Sequence, residues 1–140
     1  MFKRRASAHW SGGLKDGTGT VETQSGALKA PYGFTRRFGD EPGTNPEELI
    51  GAAHAGCYAM ALSANLDEAG LKATAIDATA TVFLDTDGAP TVTRIELKVT
   101  ATIPGCDDAQ FQELATKTKE TCPISRLLAA AEITLEAKLT

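Results

Sequence analysis

The order of patterned segments predicts an α+β fold with antiparallel sheet: glycine-punctuated strands, one long helix, a strand hairpin, two shorter helices and a closing strand. Three observations carry that prediction. Asn45-Pro46-Glu47-Glu48 signals a helix start and opens an apolar run that lasts to Ala69. Residues 91–103 alternate cleanly, with Ile95, Leu97, Val99, Ala101 and Ile103 against Arg94, Glu96, Lys98, Thr100 and Thr102. The strands are grouped rather than interleaved one by one with helices, which argues against a doubly wound parallel sheet. At 140 residues the chain reads as one domain, 1–140, long enough to hold a core without staples.

Residues 3–10 suit a strand, Gly12-Gly13 break it, and Thr18 to Thr23 suit the next; Gly17, Gly19 and Gly26 read as turns or bulges. Pro31-Tyr32-Gly33-Phe34 reads as a turn into an extended Thr35-Arg36-Arg37-Phe38, and Gly39 to Gly43 as a loop. The long helix follows. Asn45 is its N-cap, Pro46 has the fixed φ of the first helical position, and Glu48 sits three after the cap. Glu47 and Glu48 suit the positive end of the helix dipole, and Gly70 ends the helix in a left-handed cap. The middle (Gly51, Ala52, Ala53, Ala55, Gly56, Ala59, Ala61) is apolar nearly all round. That predicts a buried helix whose small residues admit a sheet or a partner chain.

Ile76, Ala78, Ala80, Val82 and Leu84 share one face of the next strand, and Asp85-Thr86-Asp87-Gly88 is a hairpin-type turn. Ile95, Leu97, Val99, Ala101 and Ile103 form the inner face of the following strand, which Pro104-Gly105 ends. Asp107 caps a helix through about Lys119, with Gln110 completing the capping box. Pro123 starts a short helix, and Ile133, Leu135, Ala137 and Leu139 alternate in a terminal strand.

The net charge of −4, with no Lys/Arg stripe, argues against a nucleic-acid footprint. Lys3-Arg4-Arg5 precedes no apolar stretch, so it does not read as a secretory signal, and no 18-residue apolar span exists, which argues against membrane insertion. Three cysteines without a secretion signal point to a reducing, cytoplasmic setting.

Those cysteines carry the candidate chemistry. Cys57 lies in mid-helix; as a plain core thiol it is inert, because apolar burial disfavours the thiolate, and a reactive Cys57 needs a cation from elsewhere. Cys122 precedes Pro123 and so caps a helix, a setting that favours the thiolate; local physics alone makes it the better nucleophile, against a partly buried cap residue as the plain alternative. Cys106, beside Asp107 and Asp108, reads as a bystander. A cation is available from Arg36 or Arg37, which point to opposite faces if the segment is extended, and Glu47 or Glu48 are the carboxylates to hold it. His54 and Cys57 share a helix face, but a zinc site would need Cys122 and His9 or a carboxylate brought from far along the chain, and no CxxC is present. No Ser-His-Asp set, glycine-rich phosphate loop or GxSxG elbow is found.

Three motifs then act together: Gly43-Thr44-Asn45-Pro46-Glu47-Glu48-Leu49, Ala52-Ala53-His54-Ala55-Gly56-Cys57 and Cys122-Pro123-Ile124-Ser125. In order and spacing they resemble the OsmC/Ohr peroxidases, the osmotically inducible protein C and organic hydroperoxide resistance proteins. Ala8-His9-Trp10, Pro31-Tyr32-Gly33-Phe34 and Arg37-Phe38 resemble the OsmC branch. The resemblance implies an intertwined homodimer, its sheets wrapped around a long central helix, with two interface sites. It implies thiol-dependent reduction of organic hydroperoxides, with Cys57 as peroxidatic thiol, Cys122 as resolving thiol, Arg37 as active-site arginine and Glu47 as its partner; Arg36 and Glu48 are the adjacent alternatives. A lipoyl-type dithiol is the implied reductant, and no metal, flavin or haem is required. By residue type the pocket is expected to be apolar, with Tyr32, Phe34, Phe38 and Met60 as candidate lining, which would favour organic over hydrogen peroxide. The arginine offsets the local preference for Cys122, because a guanidinium beside a buried thiol favours its thiolate. Glu47 stands ten residues before Cys57 on one helix, about 15 Å along the axis at 1.5 Å per residue. Either Arg37 spans that gap or the Arg–Glu pair of one chain serves the thiol of another; the second is the expectation. The competing class is a non-catalytic, dimeric redox-sensing or binding module using the same cysteines.

Overall fold

Six strands and four helices follow one another in the computed structural model, which describes residues 1–140. They group into two compact units, Met1–Leu49 and Ile50–Thr140.

The first unit holds an antiparallel meander in the order β1 (Ala6–Ser11), β2 (Thr18–Thr23), β3 (Lys29–Tyr32). Gly19 in β2 lies opposite Trp10 on one side and Tyr32 on the other. The Trp10 and Tyr32 rings stack with centroids 5.4 Å apart, and a Cβ on Gly19 would run into both. Gly19 is therefore not the turn or bulge its sequence context suggests; it is a strand residue whose missing side chain leaves room for two rings. Gly26, at φ 74°, does occupy a turn.

Thr35-Arg36-Arg37-Phe38 is not extended either. Phe34–Phe38 is a short helix, α1, closed by a 2.9 Å bond from the Arg37 N–H to the Gly33 carbonyl. It has no side-chain N-cap, so nothing local announces it. Arg36 and Arg37 consequently diverge by about 100°, rather than pointing to opposite faces. Arg36 bonds the Pro42 carbonyl at 2.8 Å and pairs with Glu41.

The next helix, α2 (Pro46–Glu68), starts and ends where its signals predict. Asn45 Oδ1 accepts from the Glu48 N–H at 2.8 Å. At the other end Leu71 N–H donates to the Leu66 carbonyl and Gly70 N–H to that of Asp67, with Gly70 at φ 74°; this is a Schellman cap. Within the second unit one face of α2, Gly51, His54, Tyr58, Leu62 and Leu66, is buried. Ala52, Ala53, Gly56, Met60, Ser63 and Ala64 are exposed. Burial all round, the expectation for so apolar a helix, is thus met on one face only within this unit.

That buried face meets a three-stranded sheet in the order β4 (Ala75–Asp85), β5 (Thr91–Thr102), β6 (Glu132–Leu139). The β4–β5 hairpin turns as expected, with Asp85 Oδ1 accepting from the Asp87 N–H and Gly88 at φ 84°. Ile95, Leu97, Val99 and Ala101 are buried along β5, as its alternation requires. The closing strand corrects the antiparallel expectation, because β6 runs parallel to β5, with Ile95 opposite Ile133 and Ala101 opposite Leu139. The reason is connectivity: α3 (Asp108–Thr121) and α4 (Pro123–Leu127) separate the two strands and supply the crossover a parallel pair needs. Tyr58, Leu62 and Leu66 pack with Leu97, Val99, Ala101, Phe111, Ala115 and Cys122 in one core. No helix is long and apolar enough to cross a membrane.

Candidate active site

Two helix-placed thiols meet in the second unit. Cys57 projects from α2 and is half-buried. Cys122 ends α3 and begins α4: its N–H donates to the Thr118 carbonyl, and its sulfur accepts from the Ser125 N–H at 3.4 Å. Pro123 at the first position of α4 fixes that corner. The two sulfur atoms, 65 residues apart in sequence, lie 3.5 Å apart. Only a small approach would bring them to bonding distance, so the pair is poised for reversible disulfide chemistry.

Their environments differ. Cys122 is 1% exposed. Burial pushes its thiol up, but hydrogen bonds from the Ser125 side chain and backbone, from Cys57 and from the Ile124 backbone outweigh burial and leave it below its ordinary value. Cys57 is displaced the other way: burial pushes it up, a bond from the Ile124 backbone opposes this, and Cys122 adds to the rise. Within this unit the more acidic thiol is therefore the buried one, as the helix-cap argument predicts, and the more accessible thiol is the one that still needs a cation. Cys106 stands apart, bonded to the Asp107 carbonyl, its thiol pushed up by burial and then by Asp107 and Asp108.

Sequence reasoning did not find His54 and Ser125 as a pair. His54 is fully buried on α2, and its Nε2 lies 2.7 Å from Ser125 Oγ, 71 residues away. Burial holds its imidazole below the ordinary range. The Ser125 spacing was visible as Cys122-Pro123-Ile124-Ser125, three residues from the thiol it caps; nothing local pointed to His54 as its partner.

The first unit holds the other pair. Arg37 grips Glu47 side-on, with Nη2 at 2.6 Å from Oε1 and Nε at 3.2 Å from both carboxylate oxygens. The bond to Glu47 raises the guanidinium pKa, against some loss to burial, so Arg37 is a fixed cation. Arg37 also lies over the Phe38 ring, 5.3 Å from its centroid. The neighbouring alternatives are engaged elsewhere, Arg36 with Glu41 and Glu48 with the Thr44 hydroxyl.

Beside Arg37 is an apolar cavity of about 200 Å³, lined by Trp10, Leu14, Tyr32, Phe34 and Phe38. The aromatic candidates Tyr32, Phe34 and Phe38 are thus part of a real cavity. Met60, the fourth residue expected there, is instead 77% exposed on α2. Trp10 and Leu14 were not anticipated; the signal for Trp10 was the pair of glycines, Gly17 and Gly19, that clear space for its ring. A wider groove of about 580 Å³ beside Arg4, Arg5, Thr23 and Gln24 contains neither the thiols nor the ion pair.

Known proteins share this arrangement of elements. A family model described as OsmC-like protein matches residues 39–138, a range that includes Glu47, Cys57 and Cys122 and begins just after Arg37. The chain is 51% identical over 138 residues to Peroxiredoxin OsmC of Escherichia coli K12, covering 97% of this chain and 96% of that one. It is 31% identical over 112 residues to the organic hydroperoxide resistance protein of Xanthomonas axonopodis pv. citri, covering 76% of each. Among solved structures, an organic hydroperoxide resistance protein OsmC from Legionella pneumophila superposes with a TM-score of 0.77 at 26% identity, over 99% of this chain and 98% of that one. The chain belongs to the OsmC family.

Proposed function

We propose that this chain, an enzyme of peroxidase type, reduces organic hydroperoxides to alcohols through a Cys57–Cys122 dithiol. The observation that carries the reading is the 3.5 Å approach of the two sulfur atoms, with Cys57 the more accessible and Cys122 buried behind it. Substrate meets the open thiol first. The Cys57 thiolate attacks the outer oxygen of ROOH; the O–O bond breaks, sulfur is oxidised to sulfenic acid, and RO⁻ takes up a proton to leave as alcohol. The Cys122 thiolate then attacks the sulfenic sulfur, forming the disulfide and expelling hydroxide, which leaves as water. An external dithiol of lipoyl type returns both sulfurs to thiols by exchange.

Arg37 has two tasks in this scheme, stabilising the Cys57 thiolate and the charge growing on the leaving oxygen. Glu47 fixes its fork. In the proposed homodimer the Arg37–Glu47 pair of one protomer serves Cys57 of its partner, and the exposed Ala52, Gly56 and Met60 face of α2 is covered by the second copy. The apolar cavity beside Arg37 favours the organic group of the substrate over hydrogen peroxide. The setting is cytoplasmic, where reduced thiols are the resting state.

The test is mass spectrometry after one equivalent of cumene hydroperoxide, identifying which sulfurs become linked. A Cys57–Cys122 disulfide is expected. Cys57→Ser should abolish even the first turnover, whereas Cys122→Ser should reduce one equivalent and then stall or over-oxidise. Loss of the first step in Cys122→Ser alone would invert the roles. Repeated turnover with a dithiol separates this enzyme from a redox sensor, which would oxidise once per site.

A further inference from the structure

Opposite the two thiols stands a second i,i+3 arrangement. His54 and Cys57 lie three apart on α2, and Cys122 and Ser125 lie three apart at the start of α4. Cys57 meets Cys122 at 3.5 Å, and His54 meets Ser125 at 2.7 Å. Ser125 joins the two contacts, since its backbone N–H donates to the Cys122 sulfur at 3.4 Å while its hydroxyl meets His54. His54, Ser125, Cys122 and Cys57 thus form one continuous polar chain through an otherwise apolar core.

The proton positions follow from one orphaned atom. His54 Nδ1 is buried with no hydrogen-bond partner. An unpaired buried N–H is rarer in folded proteins than an under-used acceptor, so the proton belongs on Nε2, where Ser125 Oγ can receive it. That bond anchors Ser125 in the first turn of α4, where its backbone N–H is aimed at the Cys122 sulfur. The titratable side chains around that sulfur are Cys57, His54 and Tyr58, all from α2, and the Tyr58 hydroxyl is committed to the Ala115 carbonyl at 2.9 Å. None of these three is a cation, so within this unit its thiolate is favoured by hydrogen bonds.

We propose that His54 is a positioning residue which, as the neutral Nε2–H tautomer, anchors the Ser125 hydroxyl, holds the Ser125 N–H on the Cys122 sulfur, and so prepares that sulfur to attack oxidised Cys57. This rests on Cys122 being the resolving thiol. In the attack the Cys122 thiolate forms the S–S bond, the Cys57 S–O bond breaks, and hydroxide departs to take up a proton. His54 touches neither reacting sulfur; it acts through Ser125.

The experiment has two arms. In a protein retaining only Cys122 (Cys57→Ser, Cys106→Ser), thiolate formation is followed by absorbance near 240 nm as pH rises. His54→Phe should raise the midpoint by about one pH unit, because the Ser125 N–H bond to the charged form loses its anchor. Ser125→Ala should raise it as well, and adding His54→Phe to Ser125→Ala should change it no further. His54→Gln, which keeps a donor near the Nε2 position, should restore most of the shift. In the three-cysteine protein, closure of the disulfide after one equivalent of cumene hydroperoxide should slow about tenfold in His54→Phe, in step with the lost thiolate. No change in midpoint, or the same change with Ser125 absent, overturns the proposal. Should the variants not fold, ¹⁵N NMR of the unsubstituted protein decides it: the Nε2–H tautomer at neutral pH supports it, and an Nδ1–H tautomer or an imidazolium overturns it. Absence of any disulfide in the unsubstituted protein would instead sink the peroxidase reading and the purpose assigned to His54, while the titration still judges the His54–Ser125–Cys122 link itself.

Discussion

The two units of the chain divide the work differently. Ile50–Thr140 has a core of its own, with Tyr58, Leu62, Leu66, Phe111 and the inner face of β5 fully or almost fully buried, and the thiols sit in its wall. Met1–Leu49 contains none of the large fully buried side chains; β1 is exposed throughout, and Trp10, Leu14 and Phe38 remain open. Yet this second kind of region carries the fixed cation and the apolar cavity. On the proposed function, stability and substrate handling are concentrated in different stretches of sequence, so mutations should separate them.

Phe111→Ala should show the largest effect, a loss of about 3–5 kcal/mol in urea unfolding, since it empties the centre of the buried cluster. Comparable destabilisation from Phe38→Ala, whose ring is 47% exposed, would erase the distinction between the units. Arg37→Met should leave unfolding almost unchanged but lower kcat/KM for an organic hydroperoxide about a hundred- to a thousand-fold, the range for removing one donor to a developing oxyanion. A subtler change is Gly19→Ala, whose new methyl would push the Trp10 and Tyr32 rings into the cavity. KM for cumene hydroperoxide should rise about tenfold, with hydrogen peroxide much less affected. If both substrates suffer alike, the cavity does not hold the organic group.

The smallest expected effect concerns acid. His54 is buried with its pKa lowered from 6.5, so the unfolded chain binds that proton more readily than the folded one. Its contribution is therefore present above pH 6.5 and is lost as pH falls from there toward the lower folded value. Urea midpoints should decline across that window in the unsubstituted protein and much less in His54→Gln.

What the sequence disclosed was local. Asn45, Pro46 and Gly70 bound α2, Asp107 caps α3, and alternation gives the inner face of β5, because each signal is written within a few residues. The same logic located Cys122 at a helix cap, but it left Arg36 or Arg37 with Glu47 or Glu48 open, and it was the family resemblance that chose the Arg37–Glu47 pair. What stayed hidden depended on direction or distance. The alternation of Ile133, Leu135, Ala137 and Leu139 says that β6 is half-buried but cannot say which way it runs beside β5. The five residues of α1 have no capping side chain to announce them. The open face of α2 reads like a buried one, because composition does not say what covers a helix. His54 and Ser125 meet across 71 residues, and neither alone is unusual.

One consequence follows from the corner at Cys122, which closes α3 and opens α4 at a single residue. On the proposed function its side chain is at once a reagent and a piece of joinery. Serine is among the preferred N-cap residues and alanine is not. Replacing the sulfur by a hydroxyl removes the reagent and keeps the joint; replacing it by a methyl removes both, so the two exchanges weigh reactivity against architecture at one and the same atom.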